Sequence, residues 1–275
     1  MASSIASFIP QLWEESIIAE YTNISIADMI TATPSSVSGS CSIFNRSNLT
    51  NGLQDYTGSV DYEDIKTTDV KLFYDIAKYA AFKIGDIDKA QAVNGGALMQ
   101  KSARDMAQAI KDAIDTSVFN EAVTGAATEN KITDAALDVT KAYDDIVDLG
   151  TALDKKNVPA SGRFVIAGPD FVNLLAKDTR VIDNTNVLPN GVVSGMEVNG
   201  MQVIKSNLVP ANKVIALNSE AIGYGKQIEE LEAMRLENSF SDAVRMLVNY
   251  GVKTLRPEAI ALLTYTVKPA SKPAA

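Results

Sequence analysis

The 275-residue chain contains no histidine. That absence removes the commonest general base, the Ser-His and Cys-His nucleophile pairs, and the commonest zinc ligand. Its single cysteine, Cys41, cannot close an internal disulfide, which fits a reducing compartment. Positive charge is also in short supply: 25 Lys and Arg stand against 34 Asp and Glu, a formal charge of −9. Such a surface argues against wrapping nucleic acid, because phosphate binding needs a basic one. No window approaches the long uncharged run of a membrane helix. The start, MASSIASFIPQLWEES, meets Glu14 and Glu15 without a basic region before them, so it does not read as a secretory signal. These exclusions put a non-enzyme first. The remaining composition, 46% hydrophobic and 21% charged, is ordinary for a globular protein and allows one large domain or two modest ones.

The chain is organised around a helix expected from Gly96 to about Thr124, with Gly95 and Gly96 before it and Gly125 after it. Met99, Ala103, Met106, Ile110, Ala113 and Val118 form one apolar stripe, ordinary core rather than a ligand box. Lys101 with Asp105, and Lys111 with Asp115, stand four apart and are expected on the exposed face. At 1.5 Å per residue this spine would be about 40 Å long.

Before the spine, residues 1 to about 32 read as an arm: Trp13, Ile17 and Ile18 with Glu14 and Glu15 allow a short amphipathic helix, Ile24, Ile26 and Met29 add scattered apolar anchors, and self-burial is too small for it to fold alone. Residues 33–69 are rich in Ser, Thr, Asn, Asp and Gly, followed by alternating Val70, Leu72, Tyr74 and Ile76. That pattern predicts a projecting hairpin whose second arm is one long strand. After the spine, a second helix is expected with Thr133 or Asp134 as its cap and Val139, Tyr143, Ile146 and Leu149 as its stripe. A short strand Phe164–Ala167, a helix from about Asp170, an Asn199-Gly200 hairpin and a strand Lys213–Leu217 argue for a small α/β unit. Val244, Met246, Val248 and Tyr250 then alternate with Arg245, Leu247 and Asn249. They predict a long antiparallel ribbon that needs the spine as support.

The order of these pieces resembles the major capsid proteins of tailed bacteriophages, the Hong Kong 97 type fold. The likeness is carried by FIPQLWEE, by VDYEDIKTTDVKLFYDIAKYAAFKIGDIDKAQ before the spine, by RFVIAGPDFVNLL, and by VRMLVNYGVKTLRPEAI near the end. The resemblance implies an α+β chain: an N-terminal arm (1–32), an extended β-hairpin loop (33–85), and a peripheral domain with the spine helix (86–154). An axial α/β domain (155–226), a return to the peripheral domain as a long β-ribbon and closing strand (227–267), and a flexible tail (268–275) complete it. It implies self-assembly as pentamers and hexamers into an icosahedral shell around double-stranded DNA, held without sequence-specific binding and without a membrane. Expected partners are a separate scaffolding protein, because the spine begins too early for a built-in one, a portal protein, and in some relatives a decoration protein. The shell would be assembled in the bacterial cytoplasm and found in the virion. Gly39, Gly52 and Gly58 would let the loop reorient as the shell expands. Some relatives cross-link a loop lysine to an asparagine; Lys66 lies in the right segment, but no partner is identifiable, so that chemistry is not assigned. An encapsulin-like compartment enclosing a cargo enzyme is the alternative.

No catalytic, cofactor-binding or metal residue is assigned. Asp86 and Asp88 read as a charged turn rather than a metal pair, Gly223-Tyr-Gly225 as a turn rather than a dinucleotide loop, and Asp144, Asp145 and Asp148 as a solvated helix face. Asn23, Asn45 and Asn48 match glycosylation acceptors only by chance. An enzyme would have to use Asp86, Asp88 or Lys155, which the sequence does not gather.

Overall fold

A computed structural model describes residues 25–35, 37, 39–48, 55, 62, 66–91, 95–178, 180–181, 186–187 and 192–268. The expectations on Trp13, Ile17, Ile18, Asn23, Gly52, Gly58 and the tail 269–275 lie outside the described residues.

The spine is helix α3, Gly95–Gly125, one residue longer at each end than its glycines predict. It follows α1 (Ile26–Ile30), strands β1 (Cys41–Asn48), β2 (Lys66–Phe73) and β3 (Ile76–Gly85), and the short α2 (Asp86–Gln91). Met106, Ala107, Ile110, Ile114, Val118, Phe119 and Ala122 are buried along it. Asp115 corrects the sequence reading: instead of sitting on the exposed face with Lys111, it is fully buried. The reason is α1, which packs on the spine and puts the Ala27 N–H 3.0 Å from the Asp115 carboxylate.

Across the spine lies a three-stranded antiparallel sheet in the order β10 (Ile222–Arg235), β11 (Ser241–Thr254), β3. Val244, Met246, Val248 and Tyr250 point inward while Arg245 and Leu247 face out, as the alternation predicts. This is the expected ribbon, with β3 added to its edge.

The long strand expected over DVKLFYDIAKYAAFKIG, residues 69–85, is two strands. β2 pairs with β1 in a two-stranded sheet of its own, whereas β3 pairs with β11, and the chain breaks between them at Tyr74 and Asp75. The break falls where Phe73 passes over Gly251, so close that a Cβ there would lie 2.0 Å from the Phe73 carbonyl oxygen.

The third sheet has seven strands in the order β4 (Lys131–Leu137), β12 (Ile260–Val267), β9 (Lys213–Asn218), β5 (Arg163–Ala167), β8 (Met201–Lys205), β7 (Val192–Val198), β6 (Asn186–Val187). Helices α4 (Val139–Lys155) and α5 (Pro169–Ala176) complete this part of the chain. The hairpin turn has Asn199 at φ 52° and Gly200 at φ 70°, the left-handed pair that a type I′ turn requires. Phe171 of α5 rests against Tyr265 of β12, ring centres 5.4 Å apart. The sheet draws β4 and β12 from outside residues 155–226.

Neither Thr133 nor Asp134 caps α4. Residues 131–137 form β4 in parallel register with β12, and Asp138 is the cap, accepting the N–H groups of Thr140 at 3.1 Å and Lys141 at 3.0 Å. Pairing with β12 prevails over the helix-compatible local sequence. Of the predicted stripe, Ile146 and Leu149 are buried, joined by Ala142 and Leu153.

Candidate assembly surfaces

The β1–β2 hairpin is joined to the body through its root. Its residues alternate faces, so Ser42, Phe44, Val70 and Leu72 share one side and Cys41, Ile43, Lys71 and Phe73 the other. The first side is seated. Leu72 is fully buried, and the Ser42 hydroxyl meets the Tyr74 phenol at 2.5 Å. Glycines on the ribbon accept the close approach: a Cβ at Gly223 would meet the Phe44 ring at 3.1 Å, and one at Gly225 would meet Pro34 and Tyr74 at 3.1 Å. Gly223 and Gly225 are therefore strand residues cleared for packing, and their reading as a turn is corrected. Beside this seat the chain of α1 continues into a single bridge, with Ala32 N–H donating to Ile222 at 2.8 Å and Tyr224 N–H to Ala32 at 3.0 Å.

The second side of the hairpin is uncovered: Ile43 is 53% and Phe73 54% exposed. On the ribbon, Tyr79 and Leu247 are partners across β3 and β11 and both face solvent. At the ribbon's tip, Phe240 and Ile87 are exposed, while Arg235 grips Asp86 through both terminal guanidinium nitrogens and reaches Asp242 at 3.1 Å. These are among the large apolar side chains that the described residues leave exposed.

The residues singled out in the sequence are not brought together. Asp86 opens α2 and is tied to Arg235; Asp88 lies two residues on in the same first turn. Lys155 is exposed at the end of α4, lining an open cleft with Asp148 and Glu129, and Glu129 pairs with Lys156. Cys41 is half-buried beside Phe73's register position, and Lys66 opens β2 opposite Asn48. Asn45 is exposed within β1. Among the described residues, no three acidic or thiol groups gather as metal ligands, and no helix is long and apolar enough to cross a membrane.

The solvated-face reading of Asp144, Asp145 and Asp148 holds for two of the three. Asp144 meets Arg180 at 2.6 Å, and Asp148 is exposed. Asp145 is only 9% exposed, turned inward from α4, and its Oδ2 has no hydrogen-bond partner. Burial, with the neighbouring charges of Asp134 and Asp148, pushes its carboxyl up to about 6. A raised folded value means that the stabilising contribution is complete below the unfolded carboxyl range and is lost as pH rises through about 6. Asp145→Asn is therefore expected to raise stability at pH 8 by about 1–2 kcal/mol, with the gain vanishing near pH 4. Denaturant melts of both proteins at the two pH values check this; equal stability at pH 8 would refute it. Sequence reasoning also missed Asp115, Arg163 and Gly251, whose roles depend on distant partners.

Comparison with known proteins agrees with this architecture. The family model described as "Phage capsid protein" matches residues 69–263, more than half of the chain. No curated protein matches. Among solved structures, one from Mycobacterium phage Che8 is 22% identical with a TM-score of 0.67, covering 87% of this chain and 90% of that one. The capsid structure of cyanophage P-SCSP1u gives 16% identity and a TM-score of 0.71, with 89% of each chain covered. The holo-SrpI encapsulin complex from Synechococcus elongatus PCC 7942 gives 14% identity and 0.60, with 92% of each covered. At these identities the structures speak for the fold, and the family model speaks for the family. The chain belongs to the phage capsid protein family, as a major capsid protein that builds the virion shell.

Proposed function

We propose that the subunits assemble as pentamers and hexamers into an icosahedral shell that encloses the double-stranded DNA of a tailed phage. The observation that carries this reading is the hairpin. A two-stranded sheet seated by its root, with Ile43 and Phe73 uncovered, is marginal in water until a neighbour covers it. Residues 1–32 and 33–85 would reach across neighbours as arm and extended loop. Residues 86–154 and 227–267 would form the peripheral domain and 155–226 the axial one, with 268–275 as a tail. The negative net charge suits a container that must not grip its genome. A separate scaffolding protein would guide assembly in the host cytoplasm, a portal protein would occupy one vertex, and a decoration protein would find its place on the outer surface.

Light scattering and negative-stain images of the chain co-produced with its scaffold test the proposal. Closed particles, or rings of five and six subunits, are the expected result. A chain that stays monomeric with scaffold present would overturn it. The likeness to an encapsulin favours a second reading, a compartment around a cargo protein. Shells filled with protein cargo and never with DNA would favour that one.

A further inference from the structure

The described part of the arm ends on the spine in an unusual way. Ser25 occupies the cap position of α1, but its hydroxyl makes no capping bond to that helix. The first turn is capped from elsewhere: Asp115 Oδ1 accepts the Ala27 N–H at 3.0 Å and the Ser25 hydroxyl at 3.4 Å. Asp115 is 0% exposed, and its Oδ2 is buried with no hydrogen-bond partner. Ile26, Ala27 and Ile30 are buried in the same seam, so α1 is what seals the carboxyl from water.

Such a group meets two opposed effects. The Ala27 N–H and the nearby Lys111 favour the carboxylate, while burial and Asp112 favour the neutral acid. One N–H bond and one long hydroxyl contact satisfy one oxygen only, and an unpartnered charged oxygen in the interior costs more than an unpartnered neutral one. Burial therefore wins, and the carboxyl is pushed up to about 6. The other elements packed here do not offset this. α1 brings only the exposed Asp28, and the ribbon brings the phenols of Tyr224 and Tyr250, the latter bonded to Ser117 at 2.9 Å.

We propose that Asp115 makes docking of the arm root, residues 25–32, proton-linked, so that the arm is held more tightly when this carboxyl is protonated and is released more readily when it is charged. The sign follows from linkage. With the arm away, Asp115 faces water and returns to the ordinary carboxylate range, so the docked state binds the proton more strongly and the proton must favour docking. Tightening is complete below about pH 4 and is lost as pH rises through the docked value. The linkage is a property of the single chain and is independent of what the shell encloses.

Hydrogen exchange of the amides of residues 26–32 in the full-length chain, corrected for intrinsic rate, reads the docking equilibrium directly. Protection is expected to grow about ten-fold from pH 8 to pH 5, toward a ceiling of about 100-fold that a two-unit shift reaches only below pH 4. Asp115→Asn should hold protection constant across that range. A flat wild-type profile, or an Asp115→Asn profile with the wild-type slope, would overturn the proposal. Should the variant fold poorly, titration of the Asp115 carboxyl carbon by NMR in the wild-type chain decides. Protonation near pH 6 supports the linkage, and protonation near pH 4 refutes it.

Discussion

Replacing Gly251 with alanine is expected to cost about 3 kcal/mol of stability and to unseat the root of the hairpin. The added Cβ would lie 2.0 Å from the carbonyl oxygen of Phe73, 2.9 Å from its carbon and 3.4 Å from the Cα of Tyr74. All three are backbone atoms, so no rotamer change relieves the overlap and one chain must move. Moving Phe73 and Tyr74 away from β11 would open the burial of Leu72 and Tyr74. It would also break the Ser42–Tyr74 contact and the bond from Asn249 to the Tyr74 carbonyl at 3.3 Å. The β1–β2 ladder is internal to the hairpin and would survive, so the loss falls on seating rather than on pairing. Denaturant unfolding gives the cost, hydrogen exchange at residues 40–44 gives its location, and particle yield gives its consequence for the shell. Gly168→Ala is the control: nothing lies within 4 Å of its Cβ position and its φ is an ordinary −68°, so a change of no more than about 1 kcal/mol, from its place at the cap of α5, is expected. If Gly251→Ala matched that control, the packing account of the hairpin root would be wrong.

The features legible in the sequence are those whose causes are local. The spine is bounded by its own glycines, β11 announces itself by alternation, and the Asn199-Gly200 turn by its residue pair, while α5 starts at Pro169, one residue before the expected Asp170. The features missed depend on distant partners. Lys131–Leu137 becomes a strand because β12 lies beside it in parallel register, with Leu262 opposite Lys131. The break at Tyr74 depends on Gly251, and the glycines at 223 and 225 are explained by Phe44, Pro34 and Tyr74. Asp115 and Asp145 carry charges on helices and so read as solvated, and only the packing of α1 and the inward face of α4 reveals otherwise. Assembly was legible for a related reason: arm and loop look insufficient alone, and the structure leaves Ile43, Phe73, Tyr79 and Phe240 in water.

Arg163 provides the second large effect, and it separates two kinds of interaction that usually occur together. Helix α4 ends with Asn157 at φ 55°, its N–H bonding Asp154 at 2.9 Å and the Val158 N–H bonding Leu153 at 3.2 Å, the paired closure of a left-handed helix stop. The following turn then leaves the carbonyls of Val158 and Pro159 directed into the protein. Arg163, 5% exposed at the start of β5, fills that need: its guanidinium donates to Val158 at 2.5 Å and to Pro159 at 2.9 Å, and pairs with Asp154 at 2.7 Å. Asp154 is 59% exposed, so water can replace its partner, and the ion pair should be worth under about 1 kcal/mol. The carbonyls have less recourse. Asn218 also reaches Pro159, at 3.3 Å, but Arg163 supplies the buried donor to Val158. Arg163→Ala is therefore expected to cost about 3 kcal/mol and Asp154→Ala less than about 1, with Arg163→Lys between them because one ammonium cannot span the fork. Denaturant melts at low and high salt check the ranking, and the arginine's contribution should be nearly salt-independent, since it comes from buried hydrogen bonds rather than a screened surface charge. Equal costs for Arg163→Ala and Asp154→Ala would mean that the ion pair, not the carbonyls, holds this turn.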